Sequence, residues 1–130
     1  MKTFCLMLFM FCGSFGGDPI ADLSNEVIEA VKKGDAAEIA KNFNDKVDLK
    51  IFDQEDVYSK AQAESVLKDF FAKNKVKGFT TSHSSTVKAG NQFVVGTLDT
   101  STGKYRLSFL IKKIGEKYLI SQFRIENESD

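Results

Sequence analysis

Between residues 92 and 126 the sequence holds three apolar runs, 93–100, 105–113 and 118–125, parted by Ser101-Thr102-Gly103 and Gly115-Glu116. Each run is rich in Val, Ile, Leu, Phe and Tyr and each break carries a glycine, which is the pattern of an antiparallel meander. Glycine placed first in the two-residue break Gly115-Glu116 suits a type II′ hairpin turn. A sheet built this way has two faces, and an apolar face must be covered by another layer. The upstream half of the chain reads as that cover.

The chain has 130 residues, a length that predicts one domain. Eighteen basic residues balance eighteen acidic ones, so nothing in the bulk charge would hold the protein to nucleic acid. Residues 1–17 stand apart. Lys2 is followed by an apolar run over 4–12 and then by Gly13, Ser14, Gly16 and Gly17, the layout of a secretory signal peptide. The run is far short of the ~20 residues of a membrane span, which sets a signal peptide ahead of the alternative, an uncleaved hydrophobic anchor. A lipid-modified Cys12 is disfavoured by bulky Phe11 before it. The expected division is a signal peptide at 1–17, a single domain at 18–126 and an acidic tail at 127–130. It places the mature chain outside the cell or in the periplasm, with no membrane span.

Cys5 and Cys12 both lie in the leader-like segment, and His83 is the only histidine. A mature chain then has no disulfide, no thiolate metal site and no multi-histidine metal site. No cofactor is expected.

Along the rest of the chain, Ser24 precedes a helical stripe of Leu23, Val27, Ile28 and Val31 and is placed to cap it, with Lys32-Lys33-Gly34 as the exit. Asp35-Ala36-Ala37-Glu38 reads as a capping box for a second helix that buries Ile39, Ala40 and Phe43. Val47, Leu49 and Ile51 alternate with Asp48 and Lys50 as a half-buried strand; Asp53-Gln54-Glu55-Asp56 reads as a turn and Val57-Tyr58 as a short return strand. Ser59-Lys60-Ala61-Gln62 is a further capping box, opening a helix with Ala63, Val66, Leu67, Phe70 and Phe71 on one side. A Ser/Thr-rich strand runs over 79–88.

This order of elements resembles the nuclear-transport-factor-2-like, or ketosteroid-isomerase-like, cone fold. Several segments also resemble a bacterial secreted family of unknown function with that fold: Val31-Lys32-Lys33-Gly34-Asp35-Ala36, Val57-Tyr58-Ser59-Lys60-Ala61-Gln62-Ala63, Leu67-Lys68-Asp69-Phe70-Phe71-Ala72-Lys73-Asn74, Gly96-Thr97-Leu98 and Lys117-Tyr118-Leu119-Ile120. The resemblance implies an α+β domain: three N-terminal helices on a strongly curved antiparallel sheet, made of a short hairpin and a four-stranded meander. It implies no activity. In the wider superfamily a pocket at the wide end of the sheet serves catalysis, ligand binding or association, so the fold leaves the function open.

With a two-residue turn at Gly115-Glu116, Ile111 stands opposite Ile120, Phe109 opposite Gln122 and Leu107 opposite Arg124. Tyr105, Leu107, Phe109, Ile111, Ile120, Gln122 and Arg124 then share a face, joined by Val94, Gly96 and Leu98. A two-residue turn at Ala89-Gly90 adds His83 beside Gly96. This apolar concavity, with His83, Gln122, Arg124, Tyr105 and Tyr58 as polar members around Phe109, is the candidate ligand pocket. Arg124 is the group that would hold an anion, the alternative being that it pairs with Glu126 or another acid at the sheet edge. The other face carries Phe93, Val95, Leu110, Leu119, Phe123 and Ile125 and is the candidate contact for a homodimer or an envelope protein. Asp99 falls on that face near Lys104 or Arg106.

Three functional readings follow. The first is a non-enzymatic domain that binds a small ligand or an envelope protein. The second is an enzyme with His83 as acid/base and Arg124 as anion clamp. The third is an interaction module whose concavity is packed solid by Phe70, Phe71 and Phe109. The pocket and the subunit contact both require Leu107 and Arg124 to share a face.

Overall fold

The computed structural model describes residues 19–86 and 90–128, in the order α1 (Pro19–Lys33), α2 (Ala36–Ala40), β1 (Phe43–Ile51), β2 (Gln54–Ser59), α3 (Lys60–Lys73), β3 (Val76–Thr86), β4 (Gln92–Thr100), β5 (Gly103–Ile114) and β6 (Lys117–Asn127). The leader-like segment at 1–17 lies outside the described residues, as do Ser129 and Asp130 of the expected tail. Asn127, also assigned to the tail, is the last residue of β6 and pairs with Tyr105.

The six strands form one curved sheet in the order β2-β1-β6-β5-β4-β3. All neighbours are antiparallel except β1 and β6, which run parallel. The expected antiparallel sheet is therefore a mixed one. Its N-terminal hairpin joins the meander edge to edge, and Asn42 C=O, just ahead of β1, accepts from Ile120 N–H at 2.7 Å.

Local chemistry sets the helix ends. α1 begins at Pro19, where a missing N–H costs nothing and the ring pre-sets φ. The helix therefore starts a turn ahead of Ser24, the expected cap, which lies buried within it. Ile20 extends the buried stripe to Val27 and Val31. Asp35 caps α2 by accepting from Glu38 N–H at 3.1 Å. Ser59 and Gln62 form the expected reciprocal box at α3, with Gln62 N–H on Ser59 Oγ and Ser59 N–H on Gln62 Oε1.

β1 starts at Phe43, ahead of the predicted Val47, and β2 at Gln54. The turn between them is Phe52-Asp53, inside which Phe52 takes φ +57°. Such a backbone is costly for a bulky residue. Phe52 is held there by its N–H on Ile125 C=O at 2.8 Å and by ring contacts with Tyr105 and Phe70.

At β5–β6 the Gly115-Glu116 turn forms as expected, with Gly115 at φ +65°. The β4–β5 register also follows the sequence: Val94 faces Phe109, Gly96 faces Leu107, and Asp99 faces Lys104. The inner face, Val47, Leu49, Val94, Leu98, Leu107, Phe109, Ile111, Ile120, Phe123 and Ile125, is fully buried under the helices. From the helical side it is met by Val27 and Val31 of α1, Ile39 and Ala40 of α2, and Ala63, Leu67, Phe70 and Phe71 of α3.

Candidate functional site

Two register shifts decide which side chains the sheet brings together. The first lies in β6. Ile120 pairs with Ile111, but Gln122 pairs with Leu110, so Ser121 is an extra residue on the β6 side. From that point every β6 side chain changes face. Phe123 and Ile125 turn inward and are fully buried, while Gln122 and Arg124 turn outward opposite Leu110 and Ser108.

The energetics favour this strongly. Burying Phe and Ile is worth roughly 1.5–3 kcal/mol each. A regular ladder would instead bury an amide and a guanidinium, at several kcal/mol for the charge alone.

The second shift lies in β3. Thr86 pairs with Gln92, so the β3–β4 connection spans 87–91 and not the two residues Ala89-Gly90, the first of which lies outside the described residues. The register moves by one, and His83 faces Val95 on the outer side of the sheet, where it is exposed. A further shift between Thr81 and His83 returns Thr81 opposite Gly96.

The six candidate pocket residues are thereby split. Tyr58, Tyr105 and Phe109 stay on the inner side. Phe109 is fully buried, stacked on Phe123 with ring centroids 6.2 Å apart. Tyr105 lies at the rim, its ring 5.0 Å from Phe52 and its hydroxyl 2.9 Å from Thr102 Oγ1. His83, Gln122 and Arg124 are on the outer side, so Leu107 and Arg124 point to opposite faces. His83 and Arg124 stand on β3 and β6, three strand spacings or about 14 Å apart, too far to act on one small substrate. The cavity built on these residues is not formed. Phe70, Phe71 and Phe109, at 5%, 8% and 0% exposure, fill the concavity instead.

Arg124 is already engaged. Its Nη2 lies 2.9 Å from Glu55 Oε2 and 3.8 Å from Asp48 Oδ2. Next to it, Lys50 Nζ donates to Glu126 Oε2 at 2.8 Å, and Arg106 Nη2 lies 3.6 Å from Glu126 Oε1. The Lys50 hydrogen bond, with the charges of Lys50, Arg106 and Arg124, holds the Glu126 carboxyl below its ordinary value. The same bond raises the Lys50 ammonium above its own. Three cations and three carboxylates thus neutralise each other across β2, β1, β6 and β5.

The candidate contact face changes as well. Phe123 and Ile125 leave it for the core. Phe93, Val95, Leu110 and Leu119 remain on the outer side, half-buried, with Phe93 opposite Leu110. Val57 of β2, 60% exposed, joins them from across Asp48. One legible signal announces the change: the apolar residues Ile120, Phe123 and Ile125 are spaced three and then two, a parity break that strict alternation does not contain. Neither of two surface depressions, of about 620 Å³ and 220 Å³, is lined by any of the candidate pocket residues. Among the described residues no group of three or more His, Cys, Asp or Glu is placed to hold a metal ion, and no helix is long and apolar enough to cross a membrane.

Comparison with known proteins places this geometry among relatives. A family model described as a domain of unknown function, DUF4783, matches residues 24–126. A DUF4783 family protein from Bacteroides ovatus is 36% identical, with 81% of this chain and 94% of that one covered at a TM-score of 0.75. One from Bacteroides uniformis is 34% identical, with 82% and 97% covered at 0.76. At 16% identity the design Rd1NTF2_04 with long sheet shares the fold, covering 82% of this chain and 98% of its own at 0.63. Comparison with curated proteins gives no match.

Proposed function

We propose that this chain, which belongs to the DUF4783 family of domains of unknown function, is a non-enzymatic association domain that docks the outer face of its sheet against a second copy of itself. The carrying observation is that face. Phe93, Val95, Leu110 and Leu119 form an apolar field on β4, β5 and β6, with exposed Val57 at its far side and, among the described residues, no helix laid over it. Among the described residues, the buried sides of α1, α2 and α3 all join the core on the inner face.

Charge argues for a like partner. Arg124, Lys50 and Arg106 are matched by Glu55, Asp48 and Glu126, so this cluster beside the apolar field carries no net charge to recruit a polyanion or polycation. A two-fold packing sets the apolar half of one copy on the apolar half of the other. Six strands of 6–12 residues at ~3.3 Å rise and ~4.8 Å spacing give a face of roughly 900 Å² before side-chain relief, comparable to the ~800 Å² per partner of a standard interface. The leader-like residues 1–17 support a site of action outside the cytoplasm.

Sedimentation equilibrium tests the reading. The protein is expected to be dimeric at high micromolar concentration, and Val95→Glu with Leu110→Glu to be monomeric with an unchanged far-UV circular dichroism spectrum. A monomeric wild type, or a double variant that still dimerises, overturns it.

A further inference from the structure

We infer that the open groove between the α1–α2 junction and α3 is a binding site for a phosphomonoester attached to a small apolar body. The groove, about 620 Å³, is lined by Lys33, Gly34, Asp35, Ala36 and Ala37 on one side and by Lys68, Phe71, Ala72, Lys75 and Val76 on the other. That volume lies within the range of small-molecule sites. It is on the helical side of the molecule, away from the sheet face of the proposed dimer, so the two readings stand or fall separately.

Three features give the groove its chemistry. The first is a local excess of positive charge in a chain whose eighteen basic residues match eighteen acidic ones overall. Three lysines on or beside the helices are paired: Lys32 with Glu29 at 3.2 Å, Lys41 with Glu38 at 2.9 Å and Lys73 with Asp69 at 3.1 Å. Among the described residues Lys33, Lys68 and Lys75 have no such carboxylate, although all three line one groove. The single acid there, Asp35, is engaged in capping α2 through Glu38 N–H. Three ammonium groups against one carboxylate leave two positive charges, and a phosphomonoester carries about −1.5 to −2 at neutral pH.

The second feature is donor type. Lysine is a compact point charge with three freely rotating donors, fitted to the three oxygens of a phosphate rather than to planar bidentate capture of a carboxylate. The third is the floor. Phe71, Val76, Ala36 and Ala72 present apolar surface between the lysines, so a ligand with an apolar body gains burial that inorganic phosphate does not. Gly34 makes this floor possible. It turns the chain at φ +64°, and a Cβ there would already lie 3.2 Å from Val76 Cγ2.

The test is a ¹⁵N chemical-shift titration with phenyl phosphate and, separately, inorganic phosphate. The expected result is saturable shifts at Gly34, Lys68 and Val76 with phenyl phosphate, and binding of inorganic phosphate weaker by roughly tenfold from loss of the buried ring. The variant Lys33→Gln with Lys68→Gln and Lys75→Gln, all at exposed positions, should weaken phenyl phosphate by roughly tenfold or more. Co-sedimentation with phosphatidylcholine vesicles containing phosphatidic acid distinguishes the source of the group. Binding there assigns a lipid headgroup, and binding to phenyl phosphate alone assigns a free ester. Absence of saturation up to about 10 mM phenyl phosphate, shifts confined to another surface, or an unchanged affinity in the triple variant each overturn the inference.

Discussion

Gly96 shows how tightly a single position can be bound to the curvature of the sheet. It lies on the inner face of β4, where a neighbouring residue would be expected to fill space. The ring of Phe79 from β3 lies across it instead. A Cβ built on Gly96 would stand 2.5 Å from Phe79 Cζ and 2.5 Å from the Thr80 carbonyl oxygen. The ring could swing aside, but the carbonyl belongs to the backbone of the paired strand and cannot. Gly96→Ala is therefore expected to destabilise the fold by about 2–3 kcal/mol, the upper part of the overpacking range, read as a fall in the urea midpoint at unchanged slope. Adding Phe79→Leu should recover only part of that loss, since the carbonyl contact remains. A change below about 0.5 kcal/mol, the scale of an uninvolved surface position, would show that β3 and β4 do not approach as closely as described.

At the level of elements, the features with local chemical causes were legible in the sequence, and those fixed by pairing partners were not. The Ser59–Gln62 box, the Asp35 cap and the Gly115 turn each follow from two or three adjacent residues, and each forms. The β4–β5 register follows from one turn of even length. The extra residue in β6 is different in kind. Ser121 has no propensity that marks a bulge; only the spacing of Ile120 and Phe123 betrays it, and a reading that carries one turn's register to the end of the strand passes over it. From that residue came the misplacement of Gln122 and Arg124 into a pocket, and of Phe123 and Ile125 onto a contact face. His83 was misplaced for a related reason: the Ser/Thr-rich β3 offers no apolar residue beside it to declare a parity. Ser121 accordingly carries a sharp prediction. Its deletion forces β6 either to send Gln122 and Arg124 inward or to shift its pairing with β1, and cooperative thermal unfolding should be lost. Ser121→Gly keeps the count of residues and should cost about 1 kcal/mol or less. A deletion variant that unfolds as cooperatively as the parent would remove the bulge from this account.

On the scale of the molecule, the join that needs explaining is the parallel one between β1 and β6, where the N-terminal hairpin meets the meander. Apolar pairs stitch it on the inside, with Leu49 beside Phe123 and Ile51 beside Ile125. Outside, it is bridged by Lys50 of β1 on Glu126 of β6, with Arg106 of β5 on the far side. The Lys50 and Glu126 side chains are only 26% and 17% exposed, against 72% and 67% for Lys73 and Asp69, so solvent screens this pair far less. The sign of its pH dependence follows. The Glu126 carboxyl titrates below its ordinary value of 4.5 when folded, so its contribution is complete above that value and fades as pH falls through the lowered one. Lys50 is raised from 10.5, so its share is complete below that value and fades only as pH climbs past the raised one. Across neutral pH the pair is therefore constant, and acid is the condition that undoes it. Glu126→Gln should lower stability at neutral pH, and the gap between variant and parent should close as urea denaturation is repeated at falling pH through the carboxylate range. A gap of constant size down to strong acid would mean that Glu126 acts there by packing alone, leaving the apolar pairs to hold the hairpin to the sheet.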